Sequence, residues 1–184
     1  KINGLSRPVV DTLPTFSWKL IADKNGERQS AYRLPVSASP DFKDPVWDTG
    51  FVPSEENSNI RYEGAALSPM TRYHLSLEIR AGEDSLVSKT EYFDTGKRGV
   101  PFSGIWITGH DCLRRDDALA APYLRRTFHA EPEVRRAMLY IAGLGYFEAR
   151  INGEKVGDDF LSTAYTAYEK RSLYRAFDVR GVLG

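Results

Sequence analysis

Apolar and polar residues alternate along much of this chain, which is typical of β-strands with one face against a core. In residues 73–79, for example, every second residue is apolar. A second run, residues 15–20, places Phe16, Trp18 and Leu20 on one face of a strand. Both runs predict half-buried strands rather than helices.

Gly, Pro, Asp and Asn interrupt the pattern about every ten residues, as in β-sandwiches. No long helical pattern and no internal repeat is present. The predicted strands and hairpins are residues 15–20, 31–37, 46–52, 67–81, 91–95, 105–107, 123–128, 136–151, 151–156 and 173–179. The sequence therefore predicts an all-β protein.

Particular residues refine these elements. Residues 23–26 predict a turn, and Pro35 predicts an edge strand or a bulge because it cannot donate to a ladder. Glycines at 143–145 predict a bend between two strands. Asn152-Gly153 predicts a type I′ hairpin, since both residues adopt positive φ readily.

Residues 67–81 indicate a sandwich most directly. Pro69 predicts a corner, and the hydroxyl of the following Tyr73 is placed to return to the backbone of that corner. Residues 96–101 hold two glycines, a proline and two cations, which is typical of a linker, and we place the linker at 97–102. We therefore predict a first module at 1–96 and a second at 103–184.

Composition excludes several functions. Lys plus Arg and Asp plus Glu number 25 each, so no basic excess exists for nucleic acid or an anionic membrane surface. No apolar run is long enough to span a bilayer. We expect no nucleic acid and no membrane insertion, while an uncharged partner such as a carbohydrate suits the charge balance.

No metal site or cofactor is expected. Cys112 is the only cysteine, so His110-Asp111-Cys112 lacks further ligands at useful spacing. Asp111, Asp116 and Asp117 could supply oxygen ligands for calcium, but this interpretation is not favoured. The first four residues are not a signal peptide, and a mature N-terminus after export is one explanation; periplasmic or secreted localisation is favoured.

Neighbouring carboxylates are the candidates for glycosidic chemistry. The pairs are Asp116 with Asp117, Glu131 with Glu133, and Asp158 with Asp159. All lie in or beside predicted turns, where acidic residues are common, so we assign no catalytic residue. The default interpretation of Trp18, Trp47 and Trp106 is packing in the core or between modules.

Asp158 and Asp159 are better candidates for binding. They precede Tyr165 and Tyr168, and this combination can accept hydrogen bonds from sugar hydroxyls while covering the apolar face of a ring. A turn followed by two tyrosines at the edge of a core is the alternative interpretation.

Two resemblances follow from these residues. Trp18 in an early strand and the run 67–81, with its Pro69 and Tyr73, resemble the signature of a fibronectin type III domain. Nearly the whole chain, and above all residues 137–179, resembles the N-terminal region of bacterial α-L-rhamnosidases, which are inverting glycoside hydrolases. The segments that carry this resemblance are 14–18, 31–33, 47–50, 123–128, 146–158 and 166–171.

The α-L-rhamnosidase resemblance implies a fibronectin type III-like β-sandwich followed by an incomplete jelly-roll or lectin-like β-sandwich. It implies a non-catalytic accessory region that supports an absent C-terminal catalytic barrel, in an enzyme that releases terminal α-L-rhamnose. Unfinished strand edges in the second module would allow homo-oligomers. A stand-alone carbohydrate-binding module and a protein-interaction or adhesion module are the alternatives.

Overall fold

The computed structural model describes residues 1–22, 26–82, 84–109 and 121–183. The described chain divides into two compact units, residues 1–102 and 103–184. Within these ranges, fifteen short strands make up the regular structure, with one 3-10 helical turn at Arg180–Val182. The predicted all-β class is thus confirmed, while residues 23–25 of the first predicted turn lie outside the described ranges.

The first unit contains eleven strands in two main sheets. The strands are β1 (Val9–Val10), β2 (Thr15–Phe16), β3 (Ala31–Arg33), β4 (Pro35–Ser37), β5 (Pro45–Asp48), β6 (Val52–Pro53), β7 (Ile60–Arg61), β8 (Arg72–Leu75), β9 (Glu78–Ala81), β10 (Asp84–Val87) and β11 (Glu91–Thr95).

The larger sheet has the order β1-β11-β8-β4-β5, and the smaller has the order β10-β9-β3-β6. Strands β2 and β7 form a separate antiparallel pair. Pairing between β1 and β11 is parallel, with Val9 opposite Asp94, whereas the other paired strands of this unit are antiparallel.

Four stretches of chain pass from one sheet into the other. The predicted strand 73–79 is two strands, because β8 belongs to the larger sheet and β9 to the smaller. Tyr73, Leu75 and Ile79 are nevertheless all buried. A chain segment that crosses between facing sheets keeps its alternate side chains directed at the shared core. The alternation of apolar and polar residues therefore continues, although the strands that pair with the segment change.

The crossing from β3 to β4 decides between the two predictions for Pro35, an edge strand or a bulge. β4 lies between β8 and β5, so it is an interior strand rather than an edge strand. Pro35 is its first residue, a position that proline tolerates. The edge-strand prediction is therefore wrong, whereas the ladder with β5 shifts register between Val36 and Ser37, the two residues after the proline, in agreement with the predicted bulge.

An ion-pair network stabilises this crossing on the outside. Arg33 binds both carboxylate oxygens of Asp48, with Nη2 to Oδ2 at 2.6 Å, and its Nη1 lies 3.2 Å from Glu78 Oε1. These hydrogen bonds from Arg33 lower the pKa of Asp48. One guanidinium group therefore links β3, β5 and β9.

Aromatic and aliphatic side chains fill the space between the two sheets. Phe93 is fully buried, and its ring contacts those of Phe16 and Tyr73 at centroid distances of 6.2 and 5.7 Å. Trp18 and Trp47 pack against this core from its margin. The buried apolar residues are Ile2, Val10, Phe16, Ala31, Tyr32, Leu34, Val36, Tyr62, Leu67, Tyr73, Leu75, Ile79 and Phe93.

The chain turns sharply before β8. The Tyr73 hydroxyl accepts a hydrogen bond from the Ser68 amide at 2.9 Å, so it returns to the backbone of the Pro69 corner. Thr95 Oγ1 donates to the Ser68 carbonyl at 2.6 Å on the other side. The corner is therefore held by two side chains from the core.

The second unit contains two antiparallel pairs of strands. Its strands are β12 (Met138–Ala142), β13 (Arg150–Ile151), β14 (Glu154–Lys155) and β15 (Tyr174–Asp178). β12 pairs with β15, and β13 pairs with β14. Asn152 and Gly153 have φ values of 52° and 86°, as a type I′ turn requires, so the predicted hairpin is confirmed.

Two predicted strands of this unit are not formed. Residues 105–107 and 123–128 pair with no described strand. Ile105 is 88% exposed and Tyr123 is fully exposed. β-Prone residues specify a strand only where a neighbour supplies hydrogen bonds and a surface to pack on, and the described residues supply neither here.

Candidate functional site

The predicted carbohydrate site lies in the segment after the β13–β14 hairpin. Asp159 Oδ2 accepts a hydrogen bond from Ser162 Oγ at 2.6 Å and pairs with Arg175 Nη2, also at 2.6 Å. Arg175 lies on β15, so these contacts tie the segment to the sheet. Asp158 is exposed. One predicted carboxylate therefore has a structural partner, whereas the other faces solvent.

Tyr165 and Tyr168 form an aromatic pair in the same segment. Their rings meet edge to face with centroids 5.1 Å apart. Tyr165 is 78% exposed, while Tyr168 is half-buried and supports it. The pair presents an open aromatic surface of the kind that can cover the C–H face of a sugar ring. The described contacts do not join the pair to either aspartate.

Thr163 was not singled out by the sequence. It is only 4% exposed, and its Oγ1 has no hydrogen-bond partner among the described residues. A buried hydroxyl without a partner is unfavourable. The segment therefore holds unused hydrogen-bonding capacity next to Ser162, which no spacing or motif in the sequence could have indicated.

The candidate carboxylate pairs differ in their surroundings. Glu131 and Glu133 are both exposed. Asp159 is neutralised by Arg175, and Asp158 is exposed. A glycosidic acid acts from a low-dielectric environment, whereas the side chains of Glu131, Glu133 and Asp158 are open to solvent.

The remaining candidates fall in residues 110–120, which lie outside the described ranges. These are His110, Asp111, Cys112, Asp116 and Asp117. Within the described ranges, no group of three or more His, Cys, Asp or Glu side chains could hold a metal ion. The described part also lacks any helix whose length and apolar character would let it cross a membrane.

Tyr92 in the first unit provides a contrast to Tyr165. The guanidinium groups of Arg72 and Arg7 lie 3.9 and 5.0 Å from the centre of its ring. Arg72 also binds Asp94, with Nη2 to Oδ2 at 2.8 Å. Because cations already cover this ring, Tyr92 stabilises the outer face of the larger sheet and is not an open platform for a sugar.

The three tryptophans have different environments. Trp47 packs against Phe16 and Tyr62 at centroid distances of 6.0 and 5.0 Å. Trp18 donates its indole N–H to Gln29 Oε1 at 2.7 Å. Trp106 is 59% exposed, so it is not buried among the described residues of its unit, and the alternative of packing between modules stays a prediction.

An apolar pocket opens in the first unit where the chain crosses between sheets. Its volume is about 330 Å³. Its apolar lining includes Phe16, Trp18, Leu34, Leu75 and Leu77. These residues belong to elements predicted from the sequence, but their convergence depends on the crossing, which the alternation pattern does not reveal.

Two facing sheets, antiparallel pairing and a tyrosine corner place the first unit among immunoglobulin-type β-sandwiches. The chain belongs to the family described as Rha78A-like, N-terminal immunoglobulin domain, which matches residues 1–99. Residues 132–184 match a second family, the α-L-rhamnosidase N-terminal domain. The chain therefore corresponds to the N-terminal region of α-L-rhamnosidases, as the resemblance in the sequence implied.

An α-L-rhamnosidase of Formosa agariphila is 32% identical over 206 residues, covering 97% of this chain and 22% of the relative. The structure of α-L-rhamnosidase from Dictyoglumus thermophilum superimposes with a TM-score of 0.84 at 33% identity, over 100% of this chain and 23% of that one. The chain spans about a fifth of the length of the curated relatives it matches.

A more distant structure shares the fold. The α-L-rhamnosidase from Aspergillus terreus superimposes with a TM-score of 0.71 at 19% identity, over 100% of this chain and 22% of that one. At this identity the likeness concerns the fold alone.

Proposed function

We propose that this chain is a non-catalytic accessory region of an α-L-rhamnosidase, and that it supports a catalytic domain elsewhere in the same protein. The observation that carries the proposal is the coverage of its relatives. A protein named α-L-rhamnosidase matches 97% of this chain, yet the match occupies only 22% of that relative. The exposed or neutralised carboxylates of the described residues agree with this assignment.

The exposure of apolar side chains in the second unit favours this supporting role. Its buried apolar residues, among those described, are Val156 and Val179. Large apolar side chains such as Trp106, Tyr123 and Phe160 are mostly exposed. Surfaces of this kind mark interaction sites, and two-stranded ribbons are marginal when isolated. The unit therefore provides a surface for further parts of the parent protein to cover.

A domain exchange tests the proposal. The chain would replace the corresponding segment of the Dictyoglumus thermophilum α-L-rhamnosidase, with a deletion of that segment as the control. We expect the exchange to preserve soluble protein and turnover of an aryl α-L-rhamnoside, and the deletion to lose both. The isolated 184-residue chain should show no turnover.

Two results would contradict this function. Turnover by the isolated chain at enzyme-like rates would show that it carries its own catalytic groups. A deletion that kept full yield and full turnover would show that the catalytic domain needs no support from this region.

A second candidate function is carbohydrate binding by the second unit. The exposed Tyr165 ring, supported by Tyr168, favours it, with Asp158 and Asp159 as the hydrogen-bonding groups proposed beside it. Rhamnose titrated into the chain should change tyrosine fluorescence at millimolar concentration, and Tyr165→Ala should abolish the change. Phe160→Ala, which removes another largely exposed ring nearby in sequence, is the matched control; equal loss in both variants would rule out a specific site.

A further inference from the structure

The strand β10 forms a bare edge of the smaller sheet. It pairs with β9 on one side, and no described strand lies on its other side. All four residues of β10 are exposed, with Leu86 at 49% and Val87 at 67%. Proteins commonly block such edges with lysine, proline or a covering segment. β10 contains neither lysine nor proline, and its one charged residue is Asp84, the first residue of the strand.

The neighbouring edge shows how the chain covers such a strand elsewhere. β11 continues from β10 into the larger sheet, and β1 pairs in parallel along its outer edge. Arg7, just before β1, still lies beside Glu91, with Nε to Oε2 at 2.9 Å. The N-terminal segment then turns away, since Ile2 bridges to Leu5 and Phe16. The outer side of β11 is therefore covered, whereas the outer side of β10 is open.

The open edge leads directly into the apolar pocket. Leu86 lies opposite the buried Ile79, so both face the core side of the sheet. Two residues further, Ser88 N donates to the Leu77 carbonyl at 2.8 Å, and both residues line the pocket. Residues two apart on a strand share a face and lie about 7 Å apart. A strand added beside β10 could thus place one side chain next to Leu86 and the next in the pocket.

The charged residues at the pocket rim indicate which charge an added strand should carry. Arg7 and Glu91 neutralise each other. Lys1 and Lys89 also line the pocket, and neither forms an ion pair with a described residue. The rim therefore carries a positive excess, which favours carboxylates on whatever lies across it.

We propose that the β10 edge and its pocket dock an extended acidic peptide segment of a partner protein. The segment adds a strand to β10 and carries two apolar residues, two positions apart, flanked by Asp or Glu. Main-chain hydrogen bonds along the edge supply affinity, and the pocket supplies selectivity. This interaction surface lies in the first unit and is independent of the role proposed for the second.

Peptide titration followed by NMR tests the proposal with the full chain. The probe is a capped peptide with two leucines separated by one threonine and flanked by aspartates. We expect saturable changes in the amide signals of residues 84–89 and Leu77. Replacing both leucines by serine should weaken binding about tenfold or more. Replacing the aspartates by lysine should also weaken it.

Variants of the chain separate edge pairing from charge. Because Ser88 bonds to Leu77, the alternation of an antiparallel ladder directs the N–H groups of Ser85 and Val87 to the open side. Ser85→Pro removes one of these donors without removing a bond to β9, and should abolish saturable binding. Lys89→Glu should weaken binding about threefold, whereas Lys170→Glu, an exposed lysine of the second unit, should leave it unchanged.

Several outcomes would overturn the proposal. They are no amide changes at millimolar probe, equal affinity for the serine peptide, and equal weakening by the two lysine variants. Concentration-dependent changes at β10 in the absence of peptide would show that a second copy of the chain occupies the edge instead. If Ser85→Pro does not fold, the peptide controls and the two lysine variants still test the proposal.

Discussion

The two units use similar local signals, but they differ in how they bury their apolar side chains. In the first unit, Phe93 and Val36 are fully buried between two sheets. In the second, the described strands form two separate two-stranded ribbons, while Phe160 is 90% exposed. The difference shows that strand formation and core formation are separate events, and that only a closed arrangement of sheets achieves both.

The same contrast appears in the polar contacts. Thr95, in the first unit, is fully buried, and its hydroxyl is hydrogen-bonded at the corner. Thr163, in the second, is nearly as buried but has no described partner for its hydroxyl. Since buried polar groups are normally satisfied, the first unit is complete in this respect, whereas the second has room for further contacts.

Separating the units should give the largest effect. Residues 1–102 expressed alone should unfold cooperatively, because their core lies within the unit. Residues 103–184 alone should lack a cooperative transition, because two-stranded ribbons are marginal in water. Thermal melts followed by circular dichroism measure both. A sharp transition for the second fragment would remove the distinction between the units.

Removing a large aromatic side chain from each unit should give the next largest difference. Phe93→Ala should cost about 3–5 kcal/mol of unfolding free energy, because it leaves a cavity between Phe16 and Tyr73. Phe160→Ala should change stability by less than about 0.5 kcal/mol. Urea denaturation of the full chain measures both. Similar costs in the two variants would contradict the burial difference.

Removing one tyrosine hydroxyl should have a smaller effect. Tyr73→Phe deletes the acceptor for the Ser68 amide and should cost about 1 kcal/mol. Tyr146→Phe in the second unit removes a hydroxyl from a residue that is 63% exposed, and should cost almost nothing. The measurement is again urea denaturation. An unchanged midpoint for Tyr73→Phe would show that the corner needs no hydroxyl.

The smallest effect concerns pH. Burial of His74, followed by the nearby positive charge of Arg72, lowers its pKa in the folded state, and Asp94 only partly opposes this shift. The unfolded chain, with a histidine pKa of about 6.5, then binds more protons. Stability of the first unit should therefore decline as the pH falls below about 6.5.

Denaturation midpoints between pH 7.5 and 5 check this prediction, and NMR titration of His74 checks its cause. His74→Gln should remove the decline in that range. A decline that persisted in His74→Gln would assign the proton uptake to other groups.

Local features were predictable where a few adjacent residues determine them. Asn152-Gly153 forms its hairpin because both residues accept positive φ, and Tyr73 reaches the Pro69 corner because the two lie close in sequence. The bend at 143–145 between β12 and β13 follows for the same reason. The sequence also brought Tyr165 and Tyr168 together as candidates, and their rings are in contact. It did not reveal that no described contact joins them to Asp159.

Features that depend on distant partners were predicted less well. Residues 123–128 have the composition of a strand but pair with no described strand. Pro35 lies in an interior strand. The strand tolerates it because the chain crosses from β3 to β4 at this point, so that the proline is the first residue of β4. The pocket beside Leu77 was not predicted, because it forms where three stretches of chain cross between the sheets. The local alternation of apolar and polar residues does not indicate such crossings.

The sequence by itself determined the β class, the turns, the corner and the family, because alternation, turn residues and short motifs act over a few residues. Tertiary structure decided which sheet each half of a long alternating run joins, which edges stay open and which apolar residues are buried. These outcomes depend on hydrogen bonds and packing surfaces supplied by residues far away in the chain, such as β1 along β11. β10 has the same strand chemistry without such a neighbour, and its edge therefore remains open.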